Sequence, residues 1–553
     1  MALPLLALLV AALVVGPLVV LVRTSLTPPN TMPFATAALT LENYAAILAD
    51  PVTYRLLWNT LVYAGGTVLL GLALALALGW LSERSDLPGG GAISTVMFVF
   101  MALPPLALTF GWVLLLNSNN GALNVLLTRA LGLPGSPFDI YSMQMMIAIS
   151  GLMLAPTMYT MLGGVLRNMD PQLESAAAAA GSHPLTVLRK VTLPLLTPGL
   201  LSVVIYAWML MVQVFDTPLV IGLTAQVPVL STRIYSLASA EGSVPRYGLS
   251  ATFGVVLLLL ALVLMWGYFR TLRLSERFRV VTGKGFRPRR ARLGVWRWPA
   301  LAFVVGYFTL MALPLLILVW TSLLPFYAIP SLEGLGRISL ANYASVTNLT
   351  SVQRAIGNTV VLGLFSATAT MLLAGLISWF SVRSRSPVAR WVDAMAFTPM
   401  AVPGVVMGIA VMMLYIQTPL YGTIWIIALA QVTLFLAYGT RSLNGALIQI
   451  HKDLENAAAA SGARWLTVLR TVLLPLLLPH FLTGWLWVVA QSLRDLTIPL
   501  LLRTTDNVVV STSLLQLWNT PNFPGASALA VLMILGLMVL VVPVQVYAAR
   551  HSR

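Results

Sequence analysis

From Met1 to Val22 the chain carries hardly a polar side chain, and apolar stretches of this kind, each near 20 residues, recur about a dozen times. Stretches of that length cross a hydrocarbon core of roughly 30 Å as helices, because a helix pairs its backbone donors and acceptors within one segment. The predicted spans are about 1–22, 57–82, 92–115, 141–166, 194–220 and 248–269, then 299–322, 356–380, 391–415, 423–444, 476–501 and 525–548. The expected fold is an all-α polytopic membrane protein of about 12 transmembrane helices in two sets of six.

The polar interruptions repeat. Leu173 to Pro194, LESAAAAAGSHPLTVLRKVTLP, returns as Leu454 to Pro475, LENAAAASGARWLTVLRTVLLP. Glu174 and Glu455, Gly181 and Gly462, Arg189 and Arg470, and Pro194 and Pro475 all stand 281 residues apart. Asn43-Tyr44 with Asn59-Thr60 returns as Asn342-Tyr343 with Asn358-Thr359 at an offset of 299. The 18-residue difference falls in the outer loop near 117–140, which shrinks to about 418–422 in the second half. Because each set holds an even number of spans, the copies are parallel repeats related by a pseudo-two-fold axis along the membrane normal. The expected organisation is a first half at 1–270 with a polar segment at 170–193, a linker at 271–298, and a second half at 299–553 with a polar segment at 451–474.

Composition narrows the class. Hydrophobic residues make up 59% of the 553 positions and charged ones 9%, with a mean hydropathy of +0.90, which places the chain among membrane proteins. The net charge of +16 is read by location rather than as a sign of nucleic acid. With both termini cytoplasmic, 23 of the 32 Lys and Arg fall inside and 8 outside. The linker from Arg270 to Arg297 carries ten of them against the single Glu276, a topology signal or a seat for anionic lipid. Met1 to Val22 lacks the charged start and cleavage pattern of a signal peptide and is expected to remain as the first helix. There is no Cys, and none of the four His pairs with a carboxylate at ligand spacing, so no metal site is expected.

A charged, Ala-rich segment repeated between apolar helices is a poor lipid-facing element and is expected to dock a partner. Its Ala run, with Ala176, Ala177, Ala457 and Ala458, favours a smooth short helix. Gly181 and Gly462 are expected to turn the chain where a Cβ would obstruct it, and Pro194 and Pro475 to start the fifth helices. Pro104, Pro105, Pro399 and Pro403 interrupt the third helices, as gate elements or as kinks that serve packing. Asp216, Arg494 and Asp495 sit near the outer ends of the fifth helices, where they line an outer mouth or form structural pairs. No G-x-x-x-x-G-K-[ST] loop exists to cradle phosphates, so the chain is not expected to be an enzyme.

The duplicated segments resemble the EAA loop of binding-protein-dependent ABC importer permeases. Gly181 to Pro194 and Gly462 to Pro475 match the family spacing, with Val191 and Val472 at its Ile position. The family Glu position is held by Ser175 and Asn456, with Glu174 and Glu455 one residue earlier, a shift of about 100° around a helix. The resemblance implies coupling helices that dock on two copies of a cytoplasmic ABC ATPase, with ATP and Mg bound by the ATPase and no cofactor on this chain. It also implies a periplasmic solute-binding protein as partner and the bacterial inner membrane as location. Fusion of two halves, with Leu493-Arg494-Asp495-Leu496 and Pro499-Leu500-Leu501-Leu502, is most similar to the ferric-iron permeases. Thiamine, phosphonate and polyamine importers are the alternatives. The rival class, a six-plus-six secondary transporter, would carry a glycine-acid-basic signature after its second helix. Here those loops read SERSDLPGGG (82–91) and SVRSRSPVAR (381–390).

Overall fold

The computed structural model describes residues 2–29, 31–34, 38–167, 176–177, 179–182, 184–187, 189–190, 193–239, 244–277, 292–384, 386–462 and 464–551. Every regular element among them is helical. The first half contains α1 (Ala2–Ser25), α2 (Glu42–Ala49), α3 (Pro51–Arg84), α4 (Gly90–Ala102), α5 (Pro105–Leu116), α6 (Ala122–Leu131), α7 (Met143–Arg167), α8 (Leu193–Val212), α9 (Leu230–Ala238) and α10 (Tyr247–Arg277). The second half contains α11 (Arg297–Ser322), α12 (Ala341–Asn348), α13 (Thr350–Arg383), α14 (Pro387–Phe397), α15 (Gly404–Tyr415), α16 (Ile424–Gln449), α17 (Lys452–Ala460), α18 (Leu474–Arg494), α19 (Thr497–Leu501), α20 (Val510–Asn519) and α21 (Phe523–His551). Ten helices among the described residues are long and apolar enough to cross a membrane, or up to 12 if each bent pair counts as one span.

The third spans, expected to be interrupted at their prolines, are bent pairs of helices. The axes of α4 and α5 differ by 95°, and those of residues 387–401 and α15 by 113°. The cause is local. A residue before proline is pushed out of the helical region by the pyrrolidine ring. Leu103, Pro104 and Val402, each followed by a proline, accordingly adopt ψ 145°, 122° and 115°, and Pro403 is itself extended at ψ 140°. The prolines then serve as the caps from which the next helix starts: Leu108 N donates to Pro104 O at 3.2 Å and Met407 N to Pro403 O at 2.9 Å.

The fifth spans also stop earlier than hydropathy indicates. α8 ends at Val212 and α18 at Arg494, so residues 213–220 and 495–501 do not continue those helices. In each half a short helix follows before the sixth span, α9 in the first and α20 in the second. The long outer loop of the first half holds one further helix, α6, whose Asn124 donates to Leu116 O and Phe138 O at 2.8 Å each. Tyr327 donates to Leu114 O at 2.7 Å beside that loop, and burial pushes its hydroxyl up to about 12, so it stays a neutral donor at physiological pH.

The chain forms two compact units, and they do not coincide with the two halves of the sequence. One unit comprises Met1–Asp50, Arg233–Leu258 and Tyr343–Arg553; the other comprises Pro51–Thr232 and Leu259–Asn342. Each half has thus placed its first helix in the unit built mainly by the other. In the first unit, Leu6, Val10 and Val14 of α1 share a core with Met371, Ala374, Ile377, Val392 and Leu436. In the second unit, α11 packs on α5 so closely that a Cβ on Gly111 would lie 2.4 Å from Pro314 O. Such backbone approach through a small residue is how helices gain contact where lipid offers no hydrophobic drive. The free face of α1, with Leu5, Leu8 and Val19 exposed, suits a hydrocarbon surround.

Candidate coupling site

The second polar segment is fully helical up to its glycine. α16 stops at Gln449, α17 begins at Lys452, and Asp453 and Glu455 fall in its first turn, where the helix dipole favours negative charge. The Ala run carries α17 to Ala460, and Ser461 N donates to Ala457 O at 3.0 Å. Gly462 then takes φ +82° and ends the helix. A short helix, Trp465–Val468, leads through a wide π turn, Leu469–Leu473, into α18, with Pro475 in its first turn.

The described part of the first copy has the same form. Ala180 N donates to Ala176 O at 3.0 Å and Ser182 N to Ala177 O at 3.1 Å, and Gly181 takes φ +78°. Residues 189–190 repeat the wide turn, and Pro194 opens α8. Glu174 lies outside the described residues. The copies also present matching surfaces: Ala176 and Ala457 are exposed, Ala177 and Ala458 half-buried, and Arg189 and Arg470 exposed. A Cβ on Gly181 or Gly462 would meet no neighbouring residue within 4 Å, so what it would obstruct is the left-handed turn of the backbone itself.

Glu455 is turned toward the membrane helices. Its Oε1 lies 2.6 Å from Nε of Arg383, the last residue of α13, and the two side chains keep only 13% and 12% of their exposure. Arg383 Nη2 also donates to Ile450 O, just past the end of α16, at 2.9 Å. The outward face of α17 is left with Lys452, Asp453, Asn456 and Ala457, together with Leu454 at 49% exposure. Nearby, Asp393 of α14 accepts from Arg441 and Asn444 of α16 at 2.9 and 3.0 Å.

Asp216 and Asp495 fall just past the ends of their fifth helices rather than within them. Asp495 leaves the helical region just after α18, at ψ 124°, and its carboxylate accepts from Gln431 Nε2 and from Thr497 N at the start of α19, each at 3.0 Å, while Gln431 Oε1 accepts from Ser492 at 2.6 Å. Arg494, the last residue of α18, is half-buried. In the other unit Asp216 precedes Thr217, whose hydroxyl lies 3.2 Å from that of Thr109 on α5. Pro104, Pro399 and Pro403 are buried at the two bends, and Pro105 is half-buried. Three or more His, Asp or Glu side chains do not come together as a metal site among the described residues.

Several polar residues without an assigned role in the sequence reading are structural pins, and they too are duplicated. Asn43 donates to Ser25 O and Thr27 O, and Asn342 to Ser322 O and Leu324 O, so each satisfies the last carbonyl of its half's first helix and the carbonyl two residues beyond. Thr60 accepts from Leu230 N at 3.0 Å and Thr359 from Val510 N at 2.9 Å. Ser231 donates to Val214 O and Ser511 to Asp495 O. The signal was present as Val229-Leu230-Ser231-Thr232 and Val509-Val510-Ser511-Thr512, a third repeat between apolar runs.

The family described as binding-protein-dependent transport system inner membrane component matches residues 67–271 and again 360–553. Over 476 residues the chain is 25% identical to a putative ferric transport system permease protein of Haemophilus influenzae, covering 84% of this chain and 72% of the relative. A ferric transport system permease protein of Actinobacillus pleuropneumoniae is 23% identical over 511 residues, covering 90% of this chain and 72% of the relative. A spermidine/putrescine transport system permease protein of Haemophilus influenzae is 29% identical over 205 residues, 37% of this chain and 79% of the relative.

Proposed function

The chain belongs to the family of binding-protein-dependent transport system inner membrane components, and from that membership we propose that it is the transmembrane permease subunit of an ATP-driven importer. Its two halves line the translocation pathway. The segments at 170–193 and 451–474 dock on two copies of a cytoplasmic ABC ATPase, which binds the ATP and Mg, and a periplasmic solute-binding protein delivers the substrate. Both termini and the basic linker then lie in the cytoplasm of a bacterium, with the chain in its inner membrane.

The observation that carries this reading is the pair of Ala-rich helical turns, each ended by a left-handed glycine, with the second leading through a wide turn into its fifth helix. Two matching exposed surfaces suit a two-fold ATPase pair. In the second copy an unbroken helical path from Trp465 into the membrane helix suits transmission of movement. The double family match likewise favours this importer over a six-plus-six secondary transporter.

Ferric iron is the substrate best supported, because three relatives matched over most of the chain are named for ferric transport. The polyamine relative matches less than one half, and thiamine and phosphonate remain the further alternatives within this class. Iron on this reading is cargo that passes through and not a resident metal. The test is reconstitution in proteoliposomes. The purified chain alone should hydrolyse no ATP; with its ATPase and binding protein it should take up ferric iron only when ATP is inside. Failure to bind an ATPase, or uptake driven by a proton gradient without one, would refute the assignment.

A further inference from the structure

We propose that Arg383 is a positioning residue that makes the docking helix α17 move as one body with α13 and α16. The proposal rests on the coupling role given above to the segment at 451–474. Arg383 stands where three elements meet. It ends α13, its Nη2 holds the Ile450 carbonyl just past the end of α16, and its Nε faces Glu455 on α17 at 2.6 Å. The charges are nearly closed off from water, at 12% and 13% exposure, so the attraction is screened far less than that of a surface pair.

Nothing else described between α17 and the membrane helices has this form. The inward face of α17 otherwise offers Ala458, a small side chain with little to grip, while its remaining polar groups point outward. A force applied to the outward face would roll a poly-Ala helix over its neighbours unless one contact fixed it. The guanidinium supplies that contact, because its planar fork engages two elements at once while a lysine ammonium presents a single point charge. The displaced glutamate is explained by the same geometry: one residue earlier on the helix is about 100° of rotation, which carries the carboxylate from the outward face to the inward one. The sequence duplicates the pair, since Arg84 ends α3 at the offset of 299 from Arg383 and Glu174 stands at 281 from Glu455.

The test separates docking from transmission. The chain has no native Cys, so a single cysteine at Leu482 on α18 can report movement through labelling by a membrane-impermeant maleimide, with and without ATP and orthovanadate. In vesicles carrying the full chain and its ATPase, Arg383→Gln and Glu455→Gln should retain the ATPase on purification, because the outward face of α17 is intact. Both should lose the nucleotide-dependent change in labelling by about fivefold or more, the lower end of ordinary coupling between sites. The exchange Arg383→Glu with Glu455→Arg should recover part of it, whereas either charge reversal alone should not. A full labelling change in both Gln variants would overturn the proposal, as would loss of the ATPase from Glu455→Gln, which would place the carboxylate at the partner surface. Absence of any change in the parent chain would instead sink the coupling reading itself.

Discussion

At Gly181 and Gly462 backbone conformation and space make separable demands. Both residues sit in the left-handed region, at φ +78° and +82°, with open space where a Cβ would go. An L-residue there costs roughly 1–2 kcal/mol, a factor of 5–30 in the population of the native turn. Asn tolerates that region and a β-branched residue does not. Gly462→Asn should therefore keep most ATPase binding and ATP-driven uptake, while Gly462→Val should lose both by about the factor stated, with membrane insertion unchanged in each. Pull-down of the ATPase by the two variants checks this. Equal loss in both would mean that the partner surface needs the bare glycine itself. The same reasoning separates the duplicated residues that pin the fold from those that face outward. Asn43, Asn342, Thr60 and Thr359 answer backbone groups at helix ends, where an unmade hydrogen bond in a membrane costs more than a changed surface.

At the scale of elements, the prolines of the third spans test whether sequence or packing sets a bend. Val402 is held extended by Pro403, and the following helix α15 is buried along nearly its whole length. With spin labels on cysteines at Trp391 and Leu420 in the Cys-free chain, Pro399→Ala with Pro403→Ala should broaden the distance distribution toward longer values, because the restriction on Val402 is removed. An unchanged narrow distribution would show that the packing around α15 alone fixes the 113° turn. Spans of 20 or more apolar residues were legible in the sequence, since length and hydropathy suffice to place a helix in a bilayer. The bends were legible only as prolines, because a slight kink and a bend of 95° or 113° share the same residues. The fifth spans were read too long, because Thr497 to Leu501 continues the apolar run while the chain leaves the helical region at Asp495, whose carboxylate holds the first amide of α19. The helices α6, α9 and α20 were missed, being too short to cross a membrane and flanked by turn residues. In the coupling segments the Ala run, the glycine and the proline were legible because they act locally. Arg383 was not, because a contact between helix ends far apart in sequence leaves no local pattern.

For the whole molecule, the exchange of first helices means that neither half of the sequence contains all the contacts of one unit. Hydropathy could not reveal this, since it specifies that a helix enters the bilayer and says nothing of its neighbour. The consequence is open to a simple division of the chain within the linker, into 1–284 and 285–553. Both fragments should insert, because insertion follows the apolar length of each span. Expressed alone, the first fragment leaves α1 without Val392 and Leu436, and the second leaves α11 without the close seat beside Gly111. Apolar surface exposed to lipid costs little, so the loss lies in packing and not in desolvation. Each fragment alone should therefore be membrane-bound but quickly degraded, and the two produced together should co-purify at equal amounts. A stable, folded single fragment, judged by resistance to proteolysis in the membrane, would contradict the exchange. Co-purification that survives loss of the covalent linker would mean that the linker is not needed to hold the fold together. Its basic run would then be left with the roles that charge alone can fill, fixing the cytoplasmic side or meeting anionic lipid.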